Sequence, residues 1–105
     1  MASSTDDYQR PVLVGAVRGL TEAARLRRAM LPKNSFERFF YLGVDAAAQE
    51  VLHPELGMSR AANWLDGETP AFREGYLCTS NMLATARSAV EAPLRLPLPE
   101  FSPSA

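Results

Sequence analysis

TPAFREGYLCTSNMLATARSAVEA, residues 69–92, decides the fold class of this chain. Thr69 is a good N-cap and Pro70 suits the first helical position, where a missing N–H costs nothing. Phe72, Tyr76, Thr79, Leu83, Ala86 and Val90 then recur at helical spacing, flanked by Gly75, Met82 and Ala89. Arg73, Ser80, Asn81, Arg87, Ser88 and Glu91 occupy the opposite face, and Pro93 ends the run. A long amphipathic helix is therefore predicted from Thr69 to Ala92.

Working backwards, Ser59 is expected to cap a short helix carrying Ala61, Ala62, Trp64 and Leu65, with Gly67 as its C-terminal stop and residues 54–58 as a turn. A second long helix is predicted over Ser35–Leu52. Asn34 and Glu37 resemble a capping box, and Phe36, Phe40, Val44, Ala47, Ala48 and Val51 form its stripe. Gly43 in its middle fits either a kink or a close helix contact, and Asp45 is an alternative cap for a separate helix. His53-Pro54 ends the block. The first ordered block, Pro11–Leu31, also has helical spacing, but Val12-Leu13-Val14 is β-prone and Gly15 and Gly19 weaken a helix, so a start at Thr21 is the alternative.

The expected organisation is a flexible arm over residues 1–10, a helical domain over 11–92 and an extended, Pro-rich tail over 93–105. This is an all-α bundle of three to five helices. Its length of 105 residues suits one domain, and 47% hydrophobic residues suffice for a core. In the tail, Leu94, Leu96, Leu98 and Phe101 either dock on a groove or belong to a disordered end. The spacing there is not that of a Pro-x-x-Pro ligand.

Eleven basic and twelve acidic side chains give a net charge of -1. That balance disfavours a dedicated nucleic-acid binder, which carries a basic stripe. A helix–turn–helix regulator remains an alternative, but the last helix offers only Arg73 near its start, beside Glu74. The polar, acidic start is unlike a secretory or transit segment, and no apolar run is long enough to span a bilayer. A single cysteine precludes an intrachain disulfide, so a cytoplasmic protein is expected.

Little in the chain resembles a catalytic constellation. His53 is the only histidine and reads as a partly exposed helix-end residue; Cys78 reads as a small buried hydrophobe. One Cys and one His cannot complete a zinc site, and no phosphate-binding glycine pattern occurs. Glu50 and His53 form a Glu-x-x-His pair, the spacing used in carboxylate-bridged metal bundles. It occurs once, so a metal-binding enzyme or carrier built on it would need a symmetric oligomer; Glu22, Glu37 and Glu74 do not lie on apolar faces. No cofactor is expected.

Two clusters suggest contact surfaces. Phe36, Phe39, Phe40 and Tyr41 cannot all face one side of a helix, so part of this surface must meet another helix, the tail or a second subunit. Arg25, Arg27 and Arg28, with Arg18 upstream, form either a solvated face or a docking patch for an acidic partner. Ala61–Leu65 followed by Thr69-Pro70-Ala71-Phe72 loosely resembles the start of the toxin-binding domain of Xre/ParS-type antitoxins over a dozen residues. Arg73-Glu74-Gly75 stands where that family has a Gly-rich turn and a proline, and the resemblance is not adopted.

The resulting expectation is a non-enzymatic interaction module: a small regulator, inhibitor or accessory subunit that docks on another protein and forms homo-oligomers, with no membrane role. Phe36, Phe39, Phe40, Tyr41, Trp64, Arg25 and Arg28 are its candidate contact residues.

Overall fold

A computed structural model describes residues 3–87 and 96–101. The elements are helix α1 (Ser3–Ala29), helix α2 (Phe36–Leu52), the short helix α3 (Pro54–Met58), one 3₁₀ turn (Trp64–Gly67) and helix α4 (Pro70–Arg87), with no strand among the described residues. The chain is an all-α bundle, as its periodicity predicts. No helix among the described residues is long and apolar enough to cross a membrane.

Helix α1 begins at Ser3, eight residues before Pro11, so residues 3–10 of the expected arm are helical. Pro11 therefore sits inside the helix and leaves the Asp7 carbonyl without its usual N–H partner. Gly15 and Gly19 do not stop the helix either. Val17, Leu20 and Ala24 are buried against α2, and this tertiary burial outweighs the local propensity. Thr21 bonds back to the Arg18 carbonyl (2.8 Å) from mid-helix instead of capping a later start.

The α1–α2 turn is short, and the two helices form an antiparallel hairpin. Ser35, not Asn34, caps α2; its hydroxyl oxygen accepts the Arg38 N–H at 3.2 Å. The helix runs unbroken past Gly43 and Asp45 to His53, whose N–H donates to the Gln49 carbonyl at 2.8 Å.

Gly43 and Gly75 mark the tightest approach of α2 and α4. A Cβ built on Gly43 would overlap the Phe72 carbonyl oxygen and lie 2.9 Å from the Tyr76 nitrogen. A Cβ on Gly75 would likewise overlap the Phe40 carbonyl oxygen and lie 2.9 Å from the Phe40 carbonyl carbon. The backbones of α2 and α4 thus touch directly, each through the other's glycine. The two helices cross here: Phe40 meets Gly75, Gly43 meets Phe72 and Tyr76, and farther along α2 the Tyr76 hydroxyl reaches Glu50. Gly75, treated as a flank of the apolar stripe in the sequence, stands at its centre. The buried line of α4 is Ala71, Gly75, Thr79, Leu83 and Ala86, while Phe72 and Tyr76 lean toward Trp64.

The core joins Val17, Leu20 and Ala24 of α1 to Phe40, Tyr41, Val44 and Ala48 of α2 and to Ala71 and Leu83 of α4. Leu96, Leu98 and Phe101 of the extended tail pack on the same cluster, and the Phe101 ring centre lies 5.6 Å from that of Phe40. The tail residues described here are therefore docked.

Three local expectations are corrected. Residues 54–58 form α3, because Pro54 pre-sets a first helical turn. Ser59 ends α3 instead of starting a helix, its hydroxyl donating to the Leu56 carbonyl at 3.0 Å, and only a 3₁₀ turn forms at Trp64–Gly67. Cys78 is exposed, since Gly75 and Thr79 take the face turned to α2. The predicted helical residues 88–92, and Leu94, lie outside the described residues. Thr69 caps α4 as expected, accepting the Phe72 N–H at 3.3 Å.

Replacing Gly43 or Gly75 by alanine is expected to cost about 3 kcal/mol or more, because the added methyl meets backbone that no rotamer change can move; denaturant unfolding of each variant measures it. Thr79 is fully buried, and its hydroxyl has no hydrogen-bond partner among the described residues. An unpaired buried hydroxyl costs about 1–3 kcal/mol, so Thr79→Val, which keeps the shape, should raise the unfolding free energy by about 1 kcal/mol in the same assay.

Candidate functional site

Two regions carry chemistry. The first lies where the α3 connection folds over α2 and α4. Glu50 projects from the last turn of α2, which contains no basic residue. A carboxylate at that end opposes the helix dipole and needs a positive partner. Arg60 supplies one: its Nη1 donates to Glu50 Oε2 at 2.6 Å. The Tyr76 hydroxyl donates to the same oxygen, also at 2.6 Å. Both side chains of the Arg60–Glu50 pair are mostly buried. Gly57 lets α3 lie on this carboxylate, for a Cβ there would come within 2.6 Å of Glu50 Oε1.

Aromatic rings frame the pair. The Arg60 guanidinium lies 4.0 Å from the centre of the Trp64 ring and 5.8 Å from that of Tyr76, both cation–π distances. Trp64 meets Tyr76 edge to face at 5.1 Å and Phe72 at 6.0 Å. The Tyr76 hydroxyl is held above its ordinary pKa, first by burial and then by the hydrogen bond to Glu50 and its negative charge; Ser80 and Arg60 pull the other way. Beside this cluster a cleft of about 430 Å3 opens to solvent between the C-terminal halves of α2 and α4.

The Glu-x-x-His pair is not assembled as a metal site. Glu50 is committed to Arg60 and Tyr76, whereas the exposed His53 ring faces Glu55 with Nδ1 at 3.7 Å. Among the described residues no group of three or more His, Cys, Asp or Glu side chains is placed to hold a metal ion.

The second region is the α1–α2 corner. Leu26 and Met30, one helical turn apart, are 53% and 80% exposed, and Phe36 at the start of α2 is 69% exposed. Basic residues surround them. Arg25 pairs with Glu22 on the surface, and its hydrogen bond holds the Glu22 carboxyl below the usual range. Arg27 reaches Glu37 at 3.4 Å. Arg28 Nη1 lies 3.0 Å from Asp45 Oδ2, mostly buried between the helices. Its angle is not that of a hydrogen bond, so the contact is an ion pair by distance alone.

The candidate contact residues thus separate. Phe36 and Arg25 are exposed. Phe40 and Tyr41 are core residues, 2% and 1% exposed, so helix α1 and the tail cover them and they present no docking surface. Phe39 is half-buried against the core, Trp64 belongs to the Arg60 cluster, and Arg28 is tied to Asp45. Leu26, Met30, Arg60 and Tyr76 are not among the contact residues that the sequence suggests. Exposure of Leu26 could have been found from its position two residues beyond buried Ala24, off the α1 stripe.

No protein-family model matches the chain, and no curated protein or solved structure matches it significantly.

The raised Tyr76 pKa has a consequence for stability. Above the ordinary value of 10.0 the unfolded chain has released this proton while the folded chain retains it, so stability falls as pH rises through that window. Chemical denaturation between pH 9 and about 11 should show a steeper loss for the native chain than for Tyr76→Phe. Equal slopes would remove Tyr76 as the source.

Proposed function

We propose that this protein is a non-enzymatic interaction module, a small regulator, inhibitor or accessory subunit that docks on a partner protein through the α1–α2 corner. The observation that supports this reading is the coincidence of exposed Leu26, Met30 and Phe36 with a local excess of positive charge. Residues 18–38 contain six basic side chains and two acidic ones, in a chain whose net charge is -1. Apolar groups inside a charged rim are the usual composition of a contact surface. The complementary partner is an apolar surface rimmed by carboxylates, and its association is expected to weaken with salt.

A symmetric dimer through this corner would set like charges against each other. Homo-oligomers therefore require another face; Leu56 and Met58 of α3, 39% and 87% exposed, offer one.

The test is affinity capture from the native host with the native chain and with a Leu26→Ser, Met30→Ser, Phe36→Ser variant of unchanged circular dichroism. The expected result is a protein retained by the native chain, released by moderate salt and lost with the variant. Identical captures by the two chains would overturn the reading.

A further inference from the structure

We infer that the cleft between α2 and α4 is a binding site for a small organic cation, a primary ammonium on an apolar body. The cleft follows from the helix crossing. Direct backbone contact at Gly43 and Gly75 fixes the two axes close together, and farther along the small side chains Ala47 and Ala84 leave the space between them unfilled. Its volume of about 430 Å3 lies within the usual range for small-molecule sites, about 300–1,000 Å3.

The lining selects the ligand. Ala47, Val51, Leu83 and Ala84 provide apolar walls, whereas Glu50, Tyr76 and Ser80 provide the polar part. Tyr76 gives its one donor to Glu50 Oε2, and Arg60, whose Nη1 donates to the same oxygen, does not line the cleft. The polar groups on the cleft wall are then acceptors for the greater part: the Glu50 carboxylate, the lone pairs of the Tyr76 hydroxyl, and the Ser80 hydroxyl, which can accept or donate. A ligand that brings hydrogen-bond donors is therefore favoured.

Electrostatics favours a charged donor. The cleft lies at the C-terminal end of α2, where the last turn contains an acid and no base. Arg60 balances the Glu50 charge, but the negative end of the α2 dipole remains. A carboxylate or phosphate would meet acceptors and a negative helix end. An ammonium would meet the Glu50 carboxylate, two hydroxyls and that dipole.

Hexylammonium is a suitable probe, with hexanoate and hexanol as matched controls, read by backbone amide shifts on the full chain. Hexylammonium should shift amides in residues 47–54 and 76–84 saturably, and hexanoate should not. Glu50→Gln should weaken binding about tenfold, the effect of losing one charge-assisted hydrogen bond. Because Glu50→Gln also disturbs the Arg60 cluster, Ala84→Leu is the second variant. Position 84 is exposed and tolerates bulk, so the fold survives while the cleft is filled and binding is lost. Absence of saturable shifts, equal response to hexanoate or hexanol, or undiminished binding by Ala84→Leu would each overturn the assignment.

Discussion

Two missing side chains set the geometry of this protein. Gly43 and Gly75 bring the α2 and α4 backbones into contact, and each glycine receives the carbonyl of a residue on the other helix. Everything placed between these helices inherits that spacing. Tyr76, one residue beyond Gly75, reaches Glu50 because the axes are close, and the small side chains farther along then fail to fill the gap. The core and the cleft are two outcomes of one crossing.

The placing of the first turn of α4 against the middle of α2 adds a second requirement. The chain leaves α2 at Leu52 and must come back to set Phe72 beside Gly43, and α3 and the 3₁₀ turn make that return. Such a connection offers little apolar surface of its own; no residue of α3 or of the 3₁₀ turn is fully buried. It is fastened by a polar device instead. Arg60 ties the return segment to α2 through Glu50 and to α4 through Tyr76, with Trp64 stacked against the guanidinium. On the other side of α2, Arg28 and Asp45 play a corresponding part for α1.

The sequence revealed the periodic elements and missed what depends on contacts between them. Thr69-Pro70 and the stripe behind it identified α4 because capping and periodicity are local. Pro11 and two glycines argue locally against the long α1 that burial of Val17, Leu20 and Ala24 sustains. In the sequence Gly43 fits a kink as well as a close contact; only the presence of Phe72 across the interface decides for the contact. The aromatic run from Phe36 to Tyr41 shows the same limit. Its composition demands cover, but whether the cover is a partner or the chain's own tail depends on where Phe101 lies. Of the expected site, Phe36 and Arg25 were legible as surface groups, whereas the Glu50–Arg60–Tyr76 network joins residues 10 and 26 positions apart and leaves no short-range pattern.

The glycine crossing also governs how this chain can diverge. Surface positions such as Met58 or Leu77 can drift with little consequence for the fold. Positions 43 and 75 cannot, because a larger residue at either one requires the helices to separate along their length, and no single compensating change restores the contact. Any descendant that keeps this architecture must therefore keep glycine at both, 32 positions apart, with a cap and proline shortly before the second. That sparse signature is the trace by which a distant relative would be known after the apolar stripes have been rewritten.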